Sequence, residues 1–167
     1  DGGEIEVRAA DVILTNYDTS NRRLNGGRWE VVSSGTVTEL DLQGTTLNRI
    51  GPGAEVLLSG PLARFPQLDL VSVEGSLAIH RGHVITTPTS LTVSGHLEFG
   101  LTDGTVDGFN ASRIEVNGGV NLTGAVIDVV GLGVVPGTYE VLTWTGNRTG
   151  TPTLGAVPPG VGIALDA

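Results

Sequence analysis

Apolar and polar residues alternate along this chain in short runs. Glu4-Ile5-Glu6-Val7 opens the series, and Arg28 to Val32 follows the pair Gly26-Gly27. Val37 to Leu42, Glu55 to Ser59, Leu68 to Val73, Ser76 to His80, Leu91 to Ser94 and His96 to Leu101 continue it. Ile114 to Val116, Val120 to Leu122, Ala125 to Val130, Thr138 to Thr143 and Val161 to Leu165 complete it. A period of two places successive side chains on opposite faces of a strand. No stretch long enough for an amphipathic helix keeps apolar residues at helical spacing without Gly or Pro interrupting it. Gly, Asn or Pro stands in nearly every gap, where turns need it. The pattern predicts an all-β chain of many short strands.

Several runs share a phrase. Val56-Leu57-Leu58-Ser59-Gly60, Leu91-Thr92-Val93-Ser94-Gly95, Ile114-Glu115-Val116-Asn117-Gly118 and Val120-Asn121-Leu122-Thr123-Gly124 each end in a small polar residue and Gly. The interval from Val56 to Leu91 is longer than that from Leu91 to Ile114, so the period is imperfect and leaves room for one or two coils per interval. Recurrence of this kind predicts stacked coils, with Val, Leu and Ile in inward columns and Thr, Ser, Glu and Arg outside. A β-sandwich is the alternative, because short strands with turn signals serve both folds.

A likeness to a known family rests on these phrases. Leu14-Thr15-Asn16-Tyr17 with Leu24-Asn25-Gly26-Gly27-Arg28-Trp29-Glu30-Val31, the coil Ile50 to Gly60, Gly75 to Ile79 and Ser90 to Gly95 carry it, with Ser112 to Gly124 and Pro136 to Leu142 towards the end. Together they resemble the passengers of bacterial autotransporters and haemagglutinin-like β-strand-repeat surface proteins. The resemblance implies a right-handed parallel β-helix and a bacterial cell-surface location, and it transfers no active site. The family's passengers are long, whereas this chain has 167 residues and no translocator barrel follows, so a fragment or a small member exported by another route is expected.

Composition narrows the function classes. Aromatics make up 4% of the chain, and Gly contributes 26 residues, which favours pleated backbone with tight turns. The net charge is −9, and all nine basic residues are Arg, so no basic surface for nucleic acid is expected. Cys is absent, which removes disulfides and thiolate metal sites. No run of apolar residues is long enough to span a membrane as a helix. The chain starts at Asp1 and contains no Met; we expect a processed end left by removal of an export signal, with a trimmed recombinant product as the alternative.

Chemistry-bearing residues are sparse. Asp103 and Asp107 sit in a Gly-rich stretch and are the candidates for Ca²⁺, but without EF-hand or nonapeptide spacing a solvated turn is the favoured reading. His80 and His83 flank Arg81-Gly82 and could share a metal or supply a general base; an exposed turn is the plainer reading, and His96 stands alone. Asn110, Asn121 and Asn147 begin N-glycosylation triplets expected by chance in a chain of this composition. Trp29, Phe65, Tyr139 and Trp144 are expected to supply bulk to the core. Some right-handed β-helices cleave acidic polysaccharides, but the anionic surface and the absence of Lys speak against it. No enzymatic activity and no cofactor are expected.

One solenoid domain over 1–167 is predicted, with terminal strands at 1–14 and 160–167. Both ends are strand-like and lack Lys or a capping helix, so they leave main-chain groups to template further strands. Ile5, Val7, Val161, Ile163 and Leu165 are the candidate assembly residues. The expected function is a secreted structural subunit that joins copies of itself end to end into an extracellular filament or surface layer. The alternative is an adhesive stalk module that binds a surface or matrix glycan. Neither reading involves nucleic acid or membrane insertion.

Overall fold

The computed structural model describes residues 15–42, 44–101, 111–131 and 138–159, and every regular element among them is a β-strand. A short hairpin, β1 (Tyr17–Asp18) and β2 (Arg23–Leu24), leads into β3 (Gly27–Val32) and β4 (Thr38–Glu39). Two coils follow: β5 (Leu47–Ile50), β6 (Ala54–Ser59) and β7 (Ala63–Arg64), then β8 (Leu68–Val73), β9 (Ser76–His80) and β10 (Val84–Thr87). The next comprises β11 (Leu91–Val93), β12 (His96–Leu101) and β13 (Arg113–Val116). Then come β14 (Val120–Asn121), β15 (Val126–Gly131) and β16 (Leu142–Trp144), and finally β17 (Arg148–Thr149) and β18 (Thr153–Leu154).

Nearly every strand pairs in parallel with its counterpart one coil away. The first face is the seven-stranded sheet β1-β2-β5-β8-β11-β14-β17, and the second is the six-stranded sheet β3-β6-β9-β12-β15-β18. The third face is carried by two smaller sheets, β4-β7 and β10-β13-β16. The one antiparallel pair among the described strands is β1 with β2, which turns back over the first face and ends it. The molecule is therefore a three-sided parallel β-solenoid, and the sandwich alternative is excluded.

Register, and not the recurring phrase, measures the coil. His96 lies beside Ser76 on one side and beside Val126 on the other, so the coil that follows His96 is half as long again as the coil that precedes it. The four Gly-ended phrases fall on different faces: Gly60 follows β6, Gly95 and Gly124 follow strands of the first face, and Gly118 follows β13. Their unequal intervals reflect a likeness between corners, not a coil period.

The core consists of stacked columns. On the second face, Val56, Leu77, Leu97 and Ile127 follow one another in register, and beside them run Val31, Leu58, Ile79, Phe99 and Val129; all are buried. On the first face, Leu24, Ile50, Val73 and Val93 form a similar stack. Like chemistry at each rung lets every side chain repeat the packing of the one below it. The corner between these faces is kept narrow by glycine. A Cβ on Gly75 would lie 2.3 Å from the Ala54 carbonyl oxygen, and one on Gly95 would lie 2.0 Å from that of Gly75.

Two substitutions test this packing by chemical denaturation. Phe99→Ala empties a fully buried column position and should cost about 3–5 kcal/mol. Gly95→Ala forces the corner apart and should cost about 1–3 kcal/mol, although it adds only a methyl group. A loss below about 0.5 kcal/mol at Gly95 would show that the corners do not stack this closely.

Candidate functional site

Three places on the solenoid carry chemistry beyond packing: its last rung, a line of histidines and carboxylates on the second face, and an arginine corner on the first face. The last rung of the described residues is where their columns stop. Ile127 is 2% exposed, but its neighbour Leu154 on β18 is 41% exposed, although it occupies the same inward column. On the third face, buried Ile114 and Val116 are followed by Leu142 and Trp144, both half-buried. The apolar columns of the described residues thus end uncovered on two of the three faces.

The first face ends differently. Leu91 and Val120 are buried inward residues, and the next member of their column is Arg148. An inward-pointing charge on an edge strand discourages another strand from adding there. Among the described strands, Arg148 on β17 guards this edge from an inward position, whereas the terminal runs expected to be unblunted lie outside the described residues. Leu154 and Arg148 went unnoticed in the sequence because β17 and β18 are only two residues long, too short for a periodic signal. The residues named from sequence as the assembly surface, Ile5, Val7, Val161, Ile163 and Leu165, lie outside the described residues.

The histidines do not form one site. His80, at the end of β9, points outward, and its Nε2 donates to Glu98 Oε1 at 2.7 Å. His83 turns the other way; it is buried, and its Nδ1 donates to the Gly60 carbonyl oxygen at 2.9 Å. The expectation of an exposed turn fails for His83, because the corner after β9 folds it against the rung below. His96 Nδ1 donates to Asp128 Oδ2 at 3.2 Å, and Asp128 Oδ1 accepts from the Ala156 amide at 2.6 Å. Glu98 and Asp128 are register neighbours on adjacent rungs. These contacts tie successive coils together at the surface, where such pairs are each worth less than about 1 kcal/mol.

No cluster of three or more metal-ligating side chains occurs among the described residues. Asp103 and Asp107, the Ca²⁺ candidates, lie outside them, as does Asn110. Asn121 is half-buried and its Oδ1 accepts from the Thr123 amide, whereas Asn147 is exposed. Of the aromatics, Phe65 is core, Trp29 and Trp144 pack against the core, and Tyr139 is half-buried.

The arginine corner was likewise not singled out from sequence. Arg22 and Arg49 are exposed side chains on adjoining rungs of the first face, and the Arg49 amide donates to the Arg22 carbonyl at 3.1 Å. Arg23, the register neighbour of Arg49, reaches instead to Glu74, with Nη2 3.0 Å from Oε2.

Buried His83 gives the fold a pH dependence of known sign. Desolvation holds its pKa below the ordinary imidazole value, and the Gly60 bond offsets this only in part. The unfolded chain takes up a proton near pH 6.5 that the folded chain resists, so the contribution of His83 to stability is fully present above that pH and is lost as pH drops below it. His83→Gln should remove this component. In urea titrations at pH 7.5 and 5.5, the wild-type midpoint should fall more than that of the variant; equal falls would show that His83 is accessible to protons.

No protein-family model matches this chain, and neither a curated protein nor a solved structure matches it.

Proposed function

We propose that this chain is a structural element of the cell exterior, a secreted β-solenoid whose copies join end to end. The observation that carries this reading is the open end of the second face. Leu154 continues a column of buried residues yet is 41% exposed, so the described rungs end with apolar surface uncovered. A strand that continues the lattice must run parallel to β18 and point apolar side chains inward at every second position. The chain supplies such a strand itself. β3 is the opposite outer strand of the same six-stranded sheet, with Trp29 and Val31 in its inward columns. Docking β3 of one copy on β18 of another continues the sheet and sets Trp29 against Leu154.

The contact is head to tail, so it propagates without closing and yields a filament. Arg148 confines it to the second and third faces, which gives the joint one register. The low aromatic content, the absence of Cys and the −9 charge suit a long-lived, soluble exterior protein that draws its stability from a repetitive ladder. Catalysis has no part in this reading.

Sedimentation velocity and negative-stain electron microscopy over a range of concentrations test it. Unbranched fibres that lengthen with concentration are expected, and Leu154→Asp should abolish them without unfolding the chain, since Leu154 lies at the margin of the core. Monomeric rods at every concentration, or fibres that persist in Leu154→Asp, would overturn the proposal.

A further inference from the structure

On the first face, the arginines of one corner are placed unlike most others in the described chain. Arg28, Arg64 and Arg113 are held by Glu30, Glu39 and Glu115, and Arg23 by Glu74. Arg22 and Arg49 have no carboxylate of a described residue within ion-pairing distance, although the chain carries a net charge of −9. Their main chains are also tied to each other. The Arg22 carbonyl oxygen accepts from both the Asn48 amide at 2.9 Å and the Arg49 amide at 3.1 Å, which ties the two rungs together.

Backbone strain accompanies the placement of Arg22. Its φ is 51°, in the left-handed region that glycine adopts without steric cost. Asp18 supports that turn: its Oδ1 accepts from the Ser20 and Asn21 amides and its Oδ2 from the Asn21 side chain, and these bonds keep its pKa below the ordinary value. Strain of this kind, in a residue with a long charged side chain, points to use of the side chain. Three adjoining rungs here hold three of the four buried polar atoms that lack a partner among the described residues: Arg23 Nε, Asn48 Oδ1 and Ser72 Oγ. Arg23 itself is drawn away across Gly51, where a Cβ would lie 2.4 Å from its Nε, to reach Glu74. That leaves Glu74 engaged and Arg49 open to solvent.

From this corner an outward column runs along the axis. Arg49, Ser72, Thr92, Asn121 and Thr149 follow one another in register, one per rung, at a spacing of about 4.8 Å. Its exposed hydroxyls are those of Thr92 and Thr149, and it carries no aromatic ring.

We propose that Arg22 and Arg49 receive a single carboxylate or sulfate group borne by an otherwise uncharged saccharide, whose chain lies along this column. Two guanidinium groups match one planar or tetrahedral anion. The net charge of −9 repels a dense polyanion, so isolated acidic units on a neutral chain are the fitting ligand. The site lies on the rungs of β2 and β5, beside β3 and at the end of the described ladder opposite β18, so its test is made on the dispersed chain. It does not depend on whether copies assemble.

Amide NMR titration of the chain tests the proposal, with a disaccharide that ends in glucuronate as the probe and the matching neutral disaccharide as its control. The acidic sugar should shift amides around Arg22 and Arg49, and the neutral one should bind at least tenfold more weakly. Arg22→Ser with Arg49→Ser should weaken binding at least tenfold, while Arg28→Ser with Arg64→Ser should leave it within twofold. Arg22→Gly separates function from structure: it should raise the unfolding midpoint and lower affinity together. Absence of shifts at millimolar sugar, equal binding by the double variant, or stronger binding of single-stranded DNA than of the acidic sugar would each overturn the proposal.

Discussion

Main-chain hydrogen bonds between one coil and the next hold this molecule together, and they impose a constraint on everything else. Because the pairs are parallel and in register, each inward residue sits directly above its counterpart one rung below. Leu97 must fit on Leu77 and beneath Ile127, and Phe99 on Ile79 and beneath Val129. A column tolerates a change of size only if its neighbours yield, so the buried positions of these two columns are held to aliphatic residues and the ring of Phe99. The outward positions are free, and there the chain places its charges, its threonines and its rung-to-rung ion pairs.

The same constraint makes the corners demanding. Gly75 and Gly95 are placed so that a side chain would strike the carbonyl of the rung below. Coil length, by contrast, is free to vary between the faces. The step from β12 to β15 takes half as many residues again as the step from β9 to β12, yet the register of the second face is unchanged. A ladder of this kind has no intrinsic end, and its outermost described rungs differ from face to face. Here Arg148 interrupts one column, while Leu154 leaves another uncovered.

Much of the fold was legible in the sequence. The spans Ser76–His80 and His96–Leu101 follow directly from alternation, and the stacked-coil architecture follows from recurrence. Strands were missed where alternation is broken for physical reasons. In β5, Leu47 and Ile50 are both buried with two residues between them, because the pairing with β8 is irregular there. In β10 the inward partner of Ile85 is Thr87, fully buried and bonded through its hydroxyl to the Thr89 carbonyl, so no apolar period appears. The site was less legible. Leu154, Arg148, Arg22 and Arg49 gain their meaning from the rung beside them, and coils of unequal length hide that neighbour from a linear reading.

Hydrogen–deuterium exchange measured at several protein concentrations tests the central claim most directly, because it reads the ladder strand by strand. Amides of β9 and β12, paired on both sides, should be strongly protected at every concentration. Amides of β3 and β18 should exchange quickly in dilute solution and gain protection together as concentration rises, while those of β17, beside Arg148, gain little. Protection of β18 that does not change with concentration, or equal gains on β17 and β18, would contradict an open, face-selective end.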